Sequence, residues 1–97
     1  MNPTPIISKR AQREIERIDQ RWIETRPAAP DLFFSELREM LQLLRENPEL
    51  GVLYPPKPGV RRILLRGSLY HIYYEVVKNQ VVVLCVWSAV RGRGPKL

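Results

Sequence analysis

The chain has 97 residues, 44% hydrophobic and 27% charged, the balance of an ordinary globular protein forming one domain, 1–97, with a modest core. Its longest apolar run, Val81 to Trp87, is far short of the ~20 residues needed to span a bilayer. Its Met-Asn-Pro-Thr-Pro start lacks the basic and apolar regions of a secretory signal. A cytoplasmic protein without membrane contact is expected, and the single cysteine, Cys85, has no intrachain disulfide partner. The net charge of +6 is unevenly placed: Met1–Leu50 carries eight Lys+Arg against nine Asp+Glu, whereas Gly51–Leu97 carries eight against Glu75 alone. Positive charge concentrated in one half of a chain favours an anionic or acidic partner.

Residues 3–7, Pro-Thr-Pro-Ile-Ile, suit a short edge strand, because prolines are tolerated at strand starts and edges. Ser8 is an N-cap residue type. Ala11, Ile15, Ile18 and Trp22 then recur at helical steps and predict an amphipathic helix whose charged residues form a mixed-sign solvated face. That helix should stop at Thr25 or Arg26, since Pro27 disfavours helical geometry in the residue before it. Past the connector Arg26–Pro30, Asp31 or Pro30 opens a second helix with the stripe Phe33, Phe34, Leu37, Met40, Leu41 and Leu44, closed by Asn47-Pro48 and Gly51. Two helices joined so briefly form an antiparallel hairpin.

The proline-rich stretch Leu53–Gly59 is expected to be loop. Val60–Arg66, Leu69–Val77 and Val81–Trp87 are rich in β-branched and aromatic residues and are separated by breaks of two or three residues. Breaks that short permit hairpins and exclude parallel crossovers, which predicts an antiparallel meander. The expected fold is therefore α+β, ordered β-α-α-β-β-β, with the helical hairpin on one face of a mainly antiparallel sheet. Strict alternation puts Val81, Val83, Cys85 and Trp87 on one face of the last strand and Val82, Leu84 and Val86 on the other. Both faces are apolar and both need cover: helices on one, and a folded-back tail, a second copy or a partner chain on the other.

In order and spacing, four motifs resemble the RelE/ParE superfamily of type II toxin–antitoxin toxins, with ParE-like members the nearer match. They are Arg45-Glu-Asn-Pro-Glu-Leu-Gly51, Gly59-Val-Arg-Arg-Ile63, Tyr70-His-Ile-Tyr-Tyr-Glu-Val76, and Val82-Val-Leu-Cys-Val-Trp87 followed by Arg91-Gly-Arg93. The resemblance spans roughly residues 5–94. It implies a growth-arresting toxin held in a hetero-oligomer by a cognate acidic antitoxin lying across helices and sheet, with Trp22, Leu41, Leu84, Val86 and Trp87 as candidate contacts. It implies one of two targets. ParE-like members are understood to inhibit DNA gyrase; RelE-like members cleave mRNA on the ribosome. A non-toxic nucleic-acid-binding module is a third reading, resting on charge alone.

RNA cleavage by 2′-hydroxyl attack needs a base, an acid and cations that stabilise the phosphorane. Lys57, Arg61, Arg62, Arg66, Arg91 and Arg93 supply the cations and are the candidate target-binding set. RelE-like nucleases commonly carry a His or Tyr just after the final strand, and Ser88–Leu97 has neither, which favours the gyrase-binding reading. If the chain is a nuclease, Arg61, Arg62, His71 and Arg91 are its candidate catalytic residues. His71 is more simply a packing or surface residue, yet it shares a strand face with Glu75, the best available acid–base pair. Arg61 and Arg62 leave from opposite faces, so one serves any given site and the other is expected to hold a carboxylate on the helical layer. Arg91 and Arg93 read equally well as a solvent-facing basic tail. Tyr74 is expected in the core, Trp87 in the core or beneath the antitoxin, and Cys85 as a small buried hydrophobe. One His and one Cys fall short of a metal ligand set, and no glycine-rich phosphate loop precedes a helix. Neither metal nor cofactor is expected.

Overall fold

The computed structural model describes residues 2–97. Strand β1 (Ile6–Ile7) leads into helix α1 (Lys9–Thr25), then α2 (Leu32–Glu46), and on to strands β2 (Val52–Leu53), β3 (Val60–Leu65), β4 (Tyr70–Val77) and β5 (Gln80–Ser88). One sheet orders the strands β1-β5-β4-β3-β2, with β1 parallel to β5 and the other pairs antiparallel. This is the α+β order that the sequence predicts.

Local chemistry sets the element ends. Ser8 caps α1, its Oγ accepting the Ala11 N–H at 3.0 Å while donating to the Leu84 carbonyl at 3.1 Å. The same hydroxyl thus begins the helix and ties it to the edge of β5. Helix α2 opens after Asp31, whose side chain makes no capping hydrogen bond, and ends at Asn47 before Pro48. Leu69 sits at φ 64, a left-handed conformation that cannot continue a strand, so β4 starts at Tyr70 and not at Leu69.

Two expectations are corrected. Leu53 is not loop: with Val52 it pairs against Arg61 and Arg62, adding a two-residue edge strand ahead of the prolines. The alternation along β5 is also broken. Tyr73 pairs with Cys85 but Tyr74 pairs with Val83, leaving Leu84 as the extra residue of a β-bulge. Val81 and Val83 therefore face the helices, while Cys85 and Trp87 face the opposite side; beyond the bulge Val86 turns back to the helices.

The main core lies between helices and sheet, built from Ala11, Ile18, Trp22, Phe33, Leu37 and Leu44 against Leu65, Ile72, Tyr74, Val81, Val83 and Val86. A smaller cluster on the outer face joins Val60, Tyr73 and Cys85, with Tyr54, Leu84, Trp87 and Leu97 packed over it. The outer cover is thus the chain's own proline-rich loop and C-terminal tail. Trp87 Nε1 donates to the Arg93 carbonyl at 2.9 Å, and Arg10 Nη1 donates to the Lys96 carbonyl, which holds the tail against α1.

Candidate functional site

The central strands carry the outer-face site. Residues 62, 71 and 73 share one face of β3 and β4, and the stretch after β5 folds across it. Arg62, His71, Tyr73 and Arg93 line a cavity of about 290 Å³ there. Arg62 Nη1 donates to the Tyr73 hydroxyl at 3.3 Å, and its guanidinium lies 5.4 Å from the centre of the Tyr54 ring. Tyr54 meets Tyr73 edge-on at 4.9 Å, and His71 meets Tyr73 at 5.8 Å. Burial first, and the Arg62 charge second, push the His71 imidazole below its ordinary value, so it is neutral at pH 7. His71 and Glu75 share this face, but among the described residues the only ion pair is Arg10–Glu14, so this candidate acid–base pair is not in contact. Tyr73 is only 1% exposed.

The paired arginines diverge as their strand positions require, but Arg61 corrects one expectation. It holds no carboxylate: its Nη1 donates to the carbonyls of Gly51 (2.8 Å) and Glu49 (3.4 Å), beyond the C-terminal end of α2. Backbone carbonyls of the α2–β2 connector supply the partner that a carboxylate was expected to provide. Tyr74 completes this junction, its hydroxyl accepting from the Gly51 N–H and donating to the Pro48 carbonyl, each at 2.8 Å. A Cβ at Gly51 would lie 2.7 Å from that hydroxyl, which is why glycine stands there.

At the edge of β5, Glu14 of α1 accepts the Val86 N–H at 3.0 Å and the Cys85 thiol at 3.6 Å, while Arg10 pairs with it at 3.1 Å. Burial, then the Glu14 carboxylate, push the Cys85 thiol up to about 12, which keeps it protonated and chemically quiet.

The remaining candidates scatter. Lys57 and Arg66 are exposed on separate turns. Arg91 is absent from the lining of the outer-face cavity and stacks 4.5 Å over the Trp87 ring. It lines a second cavity, of about 390 Å³, with Arg17, Arg21 and Arg26 from α1 and its C-cap. Sequence reasoning missed these three because the charges of α1 read as a uniform mixed face. Arg10, Arg17 and Arg21, at seven- and four-residue steps along one flank of the apolar stripe, carry the signal.

The candidate antitoxin contacts divide by burial. Val86 (1% exposed) and Trp22 (9%) are core residues, so neither offers the docking surface expected of it. The bulge turns Val86 inward, and Trp22 Nε1 is used at the Ala29 carbonyl at 2.9 Å. Leu84 and Trp87 lie partly buried in the outer cluster. Leu41 lines a third cavity, about 280 Å³, between the helices with Ile7, Ile15, Phe34 and Leu37. Among the described residues no cluster of His, Cys, Asp or Glu is arranged to hold a metal ion, and no helix is long and apolar enough to cross a membrane.

A helical hairpin on one face of a β-meander is the frame of the chain, and the family match places it in the ParE/RelE class of small toxins. Residues 6–92 match the family model described as the ParE toxin of the type II toxin–antitoxin system parDE, and the chain belongs to that family. It is a toxin of a type II toxin–antitoxin system, and the family implies a cognate antitoxin. No curated protein matches the chain.

Proposed function

We propose that the protein arrests growth by binding and inhibiting DNA gyrase, and that its antitoxin silences it. The observation that carries this reading is how the outer-face groups are used. Tyr73 is buried beneath Tyr54 and Leu97, its hydroxyl takes the Arg62 hydrogen bond, and Glu75 is not joined to His71. A phosphoryl-cleaving site needs an acid and a base free to reach substrate. Arg62 and Arg93 instead offer planar, multi-donor cations at the rim of a shallow cavity, which suits docking onto an acidic protein surface. Lys57 and Arg66 add to the positive charge of this half of the chain, while Arg61 acts from within by fixing the α2–β2 junction. Arg91, in a separate cleft beside α1, stands outside this surface. The antitoxin's apolar anchors are assigned to the groove between the helices, where Phe34 is 45% exposed beside Leu41.

Purified toxin should inhibit supercoiling by gyrase in vitro, Arg62→Ala and Arg93→Ala should weaken that inhibition, and added antitoxin should abolish it. Normal supercoiling at large toxin excess would overturn the assignment. The RelE-like alternative has one observation in its favour: a neutral His71 beside Arg62 and Arg93 in a single cavity. New 5′ ends on cellular mRNA after induction, lost in His71→Ala, would establish ribosome-dependent cleavage in its place.

A further inference from the structure

The cleft between the C-terminal half of α1 and the end of β5 is absorbed by neither reading. Arg17, Arg21, Arg26 and Arg91 line it together with Trp87 and Tyr70, and no carboxylate is among its lining residues. The one ion pair among the described residues, Arg10–Glu14, lies outside it. Glu24, three residues beyond Arg21, accepts from Gln20 Nε2 at 2.9 Å. Four guanidinium groups around one cavity repel one another, and that repulsion turns into attraction when an anion enters. Two of the four are also held in place: Arg26 lies 5.0 Å over the Trp22 ring and Arg91 4.5 Å over Trp87. Held this way, the forks keep less conformational freedom to lose on binding.

We propose that this cleft binds the phosphodiester backbone of a single-stranded nucleic acid. Arginine forks match both phosphate and carboxylate oxygens, so charge alone leaves an acidic peptide as a competitor. The aromatic lining favours nucleic acid, because single-strand binders combine a cationic groove with aromatic surfaces on which bases pack. Tyr70 is partly exposed at the cleft wall and provides such a surface beside the guanidinium groups, while the Trp87 ring is taken up in holding Arg91. The inference goes beyond the gyrase reading and does not depend on it.

The test uses the full-length chain and a short fluorescent oligothymidylate, read by anisotropy across a salt series. Arg21→Ala and Arg91→Ala should each weaken binding about tenfold and lower the slope of log affinity against log salt by roughly 0.7. Arg91→Lys keeps the charge but loses the planar stack, and should still weaken binding several-fold. Lys78→Asn removes the same charge at the opposite end of the β4–β5 hairpin, where asparagine tolerates the left-handed backbone (φ 49). It should bind like the parent. Unchanged melting temperatures show that the exposed arginine variants remain folded. Equal weakening by Lys78→Asn, or none by the cleft variants, overturns the proposal. Displacement of the oligonucleotide by polyglutamate as readily as by unlabelled oligothymidylate also overturns it, and assigns the cleft to an acidic protein segment. Supercoiling inhibition, measured separately, can fail while this binding stands.

Discussion

The Tyr74 hydroxyl joins β4 to the connector between α2 and β2. It lies on the helix-facing side of β4, fully buried, and serves both the Gly51 N–H and the Pro48 carbonyl. Burial raises its pKa, which leaves the proton in place to be donated. Arg61 binds the neighbouring Gly51 carbonyl, so one tyrosine and one arginine together fix where α2 ends and the edge strand begins. Tyr74→Phe keeps the ring packing but leaves a donor and an acceptor at this junction without their partner. The expected cost is about 1–3 kcal/mol, or roughly 5–20 °C in melting temperature for a chain of this size. Urea and thermal unfolding of the variant measure it; a loss below ~0.5 kcal/mol would mean that water replaces the hydroxyl without penalty.

Between elements, carboxylates on the helices hold backbone on the sheet. Glu36 of α2 accepts the Gly67 and Ser68 N–H groups at 2.6 and 2.8 Å and so fastens the β3–β4 turn to the helical layer. A Cβ at Gly67 would meet that carboxylate at 2.8 Å, so a larger residue there would have to push the Glu36 side chain aside. Glu36→Ala should therefore accelerate hydrogen exchange at the Gly67 and Ser68 amides while leaving central β4 protected, at a cost of about 1 kcal/mol because water reaches the exposed Gly67. Protection unchanged at both amides would show that the turn holds its own shape. Only part of this organisation was legible in the sequence. Both helices and the meander were, because stripes such as Ala11-Ile15-Ile18-Trp22 and runs such as Val81–Trp87 repeat the period of their element. Val52–Leu53 was not, since two residues cannot display a period. The bulge at Leu84 was not either: an inserted residue leaves the apolar run intact, and only the register against Tyr73 and Tyr74 reveals it. The arginine cleft was legible only in part: Arg17 and Arg21 repeat at a helical step, but nothing in the sequence joins them to Arg91, more than sixty positions further along the chain.

At the scale of the whole molecule, the question is what covers a sheet that is apolar on both sides. The sequence left open a tail, a second copy or a partner chain, and the structure answers with the tail. Leu97 packs on Val60, Tyr73 and Cys85, Pro95 is buried, and the Arg93 and Lys96 carbonyls accept from Trp87 and Arg10. Other open apolar residues, among them Phe34, Leu43, Val52 and Leu53, lie on the helices and the β2 edge. Removing residues 93–97 should leave the main core standing, because none of its members lies in the tail. It should uncover the outer cluster, losing one buried proline, one partly buried leucine and two hydrogen bonds, together about 2–3 kcal/mol and roughly 10–20 °C in melting temperature. Two signals should accompany that loss: greater binding of a hydrophobic dye than to the full chain at equal concentration, and alkylation of Cys85, whose thiol is fully buried in the full chain. A truncated protein with unchanged melting temperature, unchanged dye binding and an unreactive Cys85 would show that the loop bearing Tyr54 covers the outer face alone.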